Sequence, residues 1–193
     1  MRPGGAVVGR SGRTQAVFTY RPDPVATGSF VTAAEGEECE VCSEAIRLAC
    51  AGPVYSPVVD APTLCGQCIA SGRAARELDA VFTDLGGDGW DAVPDPVKDE
   101  ILRRTPGFSG WQQEQWRAHC ADAAVFLGPT GADELRDFGP AALASLGAEL
   151  ASWGWDTEEA ESFVASLDRR GMPTAYVFRC RHCSSYQVYA DFT

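Results

Sequence analysis

The hydrophobic positions of this chain fall into short blocks whose period changes along the sequence. Thr174-Ala175-Tyr176-Val177-Phe178 and Tyr186-Gln187-Val188-Tyr189 are β-branched and aromatic runs on either side of a polar stretch, which predicts a β-hairpin. Upstream of it, Leu143, Leu146 and Leu150 recur at helical spacing within Gly139 to Ser152, and Phe163, Val164 and Leu167 do so within Thr157 to Arg170. Trp153-Gly154-Trp155 separates these two helices, Asp156 is placed to cap the second, and Gly171 is placed to close it. Asp95-Pro96 opens a further helix, with Asp95 as N-cap, that runs to about Arg104 and stops at Thr105-Pro106-Gly107. Ile69, Leu78, Val81 and Phe82 mark one face of an earlier helix from Ile69 to Phe82. Ala123 to Leu127 is the most apolar run and ends at Gly128-Pro129. Between Asp84 and Asp95, Gly86-Gly87-Asp88-Gly89 reads as a flexible acidic loop without the alternating oxygen ligands of a calcium loop. Segregated helices and hairpins define an α+β class.

Composition narrows this reading. The chain has 193 residues, 45% hydrophobic and 22% charged, enough for one domain with a real core. Its net charge of -11 argues against nucleic-acid binding, which depends on neutralising phosphates with Lys and Arg. No stretch approaches the ~18 apolar residues of a membrane span. The first fifteen residues carry Arg2, Arg10 and Arg13 without an apolar core, so residues 1–16 are expected to be a disordered tail rather than a signal peptide. The cytoplasm is the expected compartment.

Eight cysteines change the picture further, because six of them form C-x2-C pairs: Cys39/Cys42, Cys65/Cys68 and Cys180/Cys183. Chance placement gives roughly a third of one such pair, and a tight turn aims both thiolates at one tetrahedral metal. A disulfide over the same gap closes too small a loop to restrict the unfolded chain much. Glu38-Cys39-Glu40-Val41-Cys42 is followed by Ile46 to Cys50, Gly52-Pro53 and Val54-Tyr55, which predicts a knuckle opening a β-hairpin with a Gly-Pro turn. Cys65-Gly66-Gln67-Cys68 stands at the start of the Ile69–Phe82 helix, whose dipole favours thiolate anions. Knuckle, hairpin and helix-borne pair form a treble-clef-like module over about residues 30–85. Four soft thiolates suit zinc, although iron also accepts them.

Cys180 and Cys183 sit on the tip of the C-terminal hairpin and need helpers. His119 or Cys120 is the expected third ligand, with His182 or Cys50 as the fourth, since neighbouring side chains diverge and rarely both reach one ion. The plainer readings are a buried apolar Cys50 and a solvated turn residue at His182. Trp111-Gln112-Gln113-Glu114-Gln115-Trp116-Arg117-Ala118-His119-Cys120-Ala121-Asp122 is dense in polar and aromatic groups. It admits a second reading, an enzyme using His119, Cys120 and Asp122 beside a metal with an open position.

Several ordered motifs, among them Phe18-Thr19-Tyr20-Arg21-Pro22-Asp23-Pro24, Gly52-Pro53-Val54-Tyr55, Leu64-Cys65-Gly66-Gln67-Cys68-Ile69-Ala70, Arg104-Thr105-Pro106-Gly107-Phe108, His119-Cys120, Phe126-Leu127-Gly128 and Phe178-Arg179-Cys180, resemble the bacterial CbrC family. The likeness runs from about Val17 to Thr193 as a single domain. It implies a cytoplasmic cysteine-rich protein, linked by name to colicin tolerance, with no established reaction. Glycine often follows the second cysteine of such knuckles; Ser43 and Ser184 stand there instead and would be strained by about 1 kcal/mol if the turn needs a positive φ. The expected function is that of a zinc-stapled protein that meets a basic protein partner, such as a nuclease-type toxin.

Overall fold

The computed structural model describes residues 16–192; residues 1–15 of the expected 1–16 tail lie outside them, and Ala16, its last residue, packs against an apolar cluster. The chain folds as an α+β protein around a three-stranded antiparallel sheet in the order β7 (Val125–Thr130), β8 (Thr174–Arg179), β9 (Tyr186–Asp191). Strand β8 is central and buried along Thr174–Phe178, with side chains alternating between two cores. Tyr176 and Phe178 face an aromatic core with Phe108, Trp116, Phe126 and Tyr189, where the Phe108 and Phe126 rings stack at 4.3 Å. Ala175 and Val177 face the opposite side and meet Leu135, Leu146 and Leu150 from the helical layer. That layer is α4 (Ala132–Asp137), α5 (Pro140–Ser152) and α6 (Thr157–Ser166). Helix α5 lies along the edge strand β9, and Ser145 Oγ accepts the Val188 N–H at 2.9 Å, satisfying one open edge group.

The hairpin predicted from Thr174–Phe178 and Tyr186–Tyr189 is present, and its ladder extends further, from Thr174 opposite Asp191 to Arg179 opposite Tyr186. Helix α5 starts one residue later than expected, and α6 is capped by Asp156 as expected but ends at Ser166, four residues early. There Leu167 leaves helical geometry, and Asp168 donates its N–H to Pro173 O at 2.8 Å. Helix α3 (Asp95–Arg104) has Pro94, not Asp95, in the capping position. The pattern does not mark α4, which spans only six residues.

Three expectations about the N-terminal half need correction. The hairpin with a Gly52-Pro53 turn does not form: β2 (Leu48–Cys50) pairs instead with the earlier β1 (Phe30–Thr32). The single helix from Ile69 to Phe82 is two short ones, α1 (Gly66–Ala70) and α2 (Arg73–Leu78), because Gly72 takes φ +69 between them. Phe82 lies beyond both, fully buried. The acidic loop from Asp84 is also more structured than its glycines suggest. It carries β3 (Asp84–Leu85), which pairs in parallel with β4 (Gln115–Trp116), and a single 3-10 turn that buries Trp90. The Trp90 indole N–H is shared between Trp116 O at 3.0 Å and Gly86 O at 3.2 Å, a tertiary anchor that local composition cannot reveal.

Arg21 is fully buried and donates to Thr27 Oγ1, Thr27 O, Pro106 O and Gly107 O, with its guanidinium 4.4 Å from the Phe126 ring centre. Burial lowers its pKa to about 9. No helix among the described residues is long and apolar enough to cross a membrane.

Candidate metal centres

Two tetrads of ligand-type side chains converge, and both rest on the same local turn. In the first knuckle the Cys39 N–H donates to Glu44 O at 3.0 Å, and Ser43 takes φ +54. In the second, the Cys180 N–H donates to Ser185 O at 2.8 Å, and Ser184 takes φ +61. Each turn is therefore closed over six residues with a left-handed residue next to its end. Both serines adopt the positive φ that favours glycine.

Cys39, Cys42, Cys65 and Cys68 bring their sulfurs within 4.8 Å of one another. Cys65 caps α1, and its sulfur accepts the Cys68 N–H at 3.4 Å. Cys39 accepts the Cys65 N–H at 3.4 Å. Donors of this kind stabilise thiolates: burial pushes Cys39 up, but N–H groups of Cys65, Cys42 and Val41 outweigh it and bring it down to about 7. Burial raises Cys65 and Cys68, and the neighbouring cysteines add to the rise, Cys39 at Cys65 and Cys65, Cys42 and Cys39 at Cys68. The tetrad sits against an apolar cluster of Phe18, Phe30, Val41, Leu64 and Ile69, which shields it from water.

The second tetrad consists of His119, Cys120, Cys180 and Cys183, again within 4.8 Å. His119 and Cys120 both take part, against the expectation that neighbours diverge. The cause is the turn between β5 (Ala118–His119) and β6 (Asp122–Ala123). This two-residue hairpin pairs His119 with Asp122 and places Cys120 at φ +54 and Ala121 at φ +56. Two left-handed residues in succession form a tight turn of the type favoured by glycine and asparagine. The reversal in φ folds the Cys120 side chain back beside His119, with Sγ 3.2 Å from His119 Nδ1. Cys183 Sγ lies 3.4 Å from the same nitrogen and 3.8 Å from Cys120 Sγ. Cys180 is buried and its sulfur accepts the His182 N–H at 3.4 Å. The Ser185 hydroxyl, 3.1 Å from Cys183 Sγ, and the Ser185 N–H draw Cys183 down to about 6, whereas Cys120, whose thiol donates to that sulfur, is held up at about 11.

The remaining candidates lie elsewhere. Cys50 belongs to neither tetrad; it packs on the first apolar cluster, and burial raises it to about 11. His182 is exposed, but its Nε2 is 2.9 Å from Asp122 Oδ2. Asp122 also accepts from Tyr20 Oη at 2.7 Å and Arg181 Nη1 at 3.1 Å. Burial raises Asp122, and the bonds from Tyr20 and His182 with the Arg181 charge outweigh it and lower its pKa. Asp122 thus braces the hairpin tip. A polar cleft of about 370 Å³ opens between Gly87-Asp88, the Gln112–Arg117 segment and Glu149–Trp153, and no residue of either tetrad lines it.

Sequence reasoning named the cysteine pairs and treated His119 and Cys120 as alternatives. It missed the paired left-handed residues, for which Cys-Ala gives no signal, and the brace formed by Tyr20, Asp122, Arg181 and His182.

Fold and clusters together define a mixed α+β protein with a four-cysteine and a three-cysteine, one-histidine group, each able to hold a metal ion. The profile of an uncharacterised protein family, UPF0167, matches residues 16–192, and the chain belongs to that family. UPF0167 proteins of Mycobacterium bovis and Mycobacterium tuberculosis are each 46% identical over 175 residues, covering 91% of this chain and 92% of theirs. One from Pseudomonas aeruginosa is 34% identical over 177 residues, covering 91% of this chain and 96% of its own. No solved structure matches.

Proposed function

We propose that this protein is a structural two-zinc protein that presents an acidic surface to a basic protein partner. The observation that carries the metal part is the pair of four-ligand groups on two equivalent knuckles. Four protein ligands close a tetrahedral ion and leave no position for a reacting water, which favours a structural role over a catalytic one. Soft sulfur donors with at most one imidazole suit zinc. The first group lies between a knuckle and a capped helix, two of the three parts of a treble-clef-like module, with the β1–β2 ladder in place of the hairpin after the knuckle. The second ties the β5–β6 turn to the β8–β9 hairpin.

Metal analysis of the purified chain tests this reading. About two zinc ions per chain are expected. Cys65→Ser should lose the first with most of the soluble protein, because the binding free energy of structural zinc is folding free energy. Cys180→Ser should lose the second. Full metal content in either variant sinks the corresponding site.

The net charge of -11 supports the partner. Colicin tolerance, implied by the family resemblance, fits a nuclease toxin whose nucleic-acid face is basic. Binding to such a nuclease domain should weaken about tenfold or more between low and high salt, as screening removes the long-range attraction. No binding at low salt would refute the partner while leaving the metal reading intact.

A further inference from the structure

The two tetrads differ in what surrounds them. In the first, Cys39 and Cys68 are buried, Cys42 and Cys65 are half-buried, and all four pack into one apolar cluster. In the second, Cys180 alone among the cysteines is buried, whereas Cys120 and Cys183 are exposed. Both exposed sulfurs ride on tips of hairpins, and their separation is 3.8 Å. Three residues at these tips, Cys120, Ala121 and Ser184, hold positive φ without being glycine. Such backbone persists only while something over-determines it.

We propose that Cys120 and Cys183 form a peroxide-oxidisable pair, so that the second metal is released on oxidation while the first is retained. This inference rests on the two-zinc reading. A hydroperoxide can reach either exposed sulfur, and the attacked reagent is then the oxidant. One thiolate displaces on the peroxide oxygen, the O–O bond breaks, and the sulfur becomes a sulfenic acid as the leaving oxygen takes a proton. The second sulfur, already at van der Waals distance, attacks that sulfenic sulfur; the S–S bond forms and hydroxide leaves as water after protonation. The balance is two thiolates, one hydroperoxide and two protons giving one disulfide, one alcohol or water, and one further water. Closure needs the sulfurs to move from 3.8 Å to about 2.05 Å, a shift of hairpin tips rather than of the sheet. Two ligands are lost together, and His119 with Cys180 cannot hold zinc tetrahedrally alone.

The oxidised pair would also keep the β5–β6 turn joined to the β8–β9 hairpin. A covalent bond replaces the metal-mediated link, so the fold survives metal loss here. In the first tetrad Cys42 and Cys65 are similarly close, at 3.9 Å, but are only half-buried within the apolar cluster, which restricts peroxide access.

The test uses the full-length protein loaded with zinc and counted before oxidation. Graded hydrogen peroxide is added, released zinc is read with a chromophoric chelator, and disulfides are mapped by peptide mass spectrometry. The expected result is release of one zinc of two, a Cys120–Cys183 crosslink, and recovery on adding dithiothreitol and zinc. Cys120→Ser should abolish the crosslink; should that variant fail to fold, the crosslink map of the unmodified protein decides alone. Fewer than two zinc ions before oxidation overturns the structural reading and this inference with it. Two zinc ions followed by simultaneous release of both, by a Cys42–Cys65 crosslink first, or by release without a Cys120–Cys183 crosslink overturns this inference alone.

Discussion

At the residue scale, Glu114 shows how a buried polar group reports its environment. It is 3% exposed; its Oε2 accepts from Tyr55 Oη at 3.0 Å, and its Oε1 has no partner among the described residues. Burial raises its pKa above the ordinary carboxyl value. The folded chain therefore binds this proton more tightly than the unfolded chain, and the associated stability is fully present below the unfolded value of about 4.3 and lost as pH rises through the raised folded value. Glu114→Gln keeps an oxygen for Tyr55 and removes the ionisation. Melting temperatures of variant and parent across acid to neutral pH should show an advantage for the variant that grows as pH rises. A difference that stays constant with pH would mean that Glu114 ionises freely in the folded protein.

At the element scale, the knuckles and the β5–β6 turn carry the strain. Ser43, Ser184 and Ala121 all sit at positive φ. Glycine at each removes a steric penalty of about 1 kcal/mol, partly offset by the extra freedom glycine has in the unfolded chain. Ser43→Gly and Ala121→Gly should each raise the melting temperature by up to about 2–4 °C in the zinc-loaded protein. A loss of stability in either would show that the side chain matters more than the turn. The knuckle turns were legible in the sequence because C-x2-C spacing and the residue after it are local signals. The C-terminal hairpin was legible for the same reason, its two runs being long and β-rich. Helix α3 and the cap at Asp156 followed from proline and capping chemistry. What the sequence could not give is set by tertiary pairing: β2 choosing β1 over the Val54-Tyr55 segment, Trp90 anchoring a glycine-rich loop, and His119 lying beside Cys120 because of two successive left-handed residues.

At the scale of the whole molecule, the N-terminal metal module and the aromatic core meet where three stretches of backbone touch. A Cβ on Gly107 would fall on Phe82 O, well inside contact distance, and a Cβ on Gly52 would strike Gly107 O. Gly107 O also accepts from Arg21 Nη1 at 2.9 Å and from Ser29 Oγ. Gly107→Ala must push these chains apart and should cost about 3 kcal/mol or more, since main chain, unlike a flexible side chain, has nowhere to swing. Urea unfolding of the zinc-loaded variant reads this directly. A loss below about 1 kcal/mol would mean that the junction is loose.

That junction has a kinetic consequence. Two lobes joined through side chains can slide by changing rotamers, but lobes joined main chain to main chain have no such freedom. Amide hydrogen exchange should therefore find the β1–β2 ladder and the β7–β8–β9 ladder opening together as one cooperative unit, and zinc stripped from the first tetrad should speed exchange in the distant sheet as well as in the module.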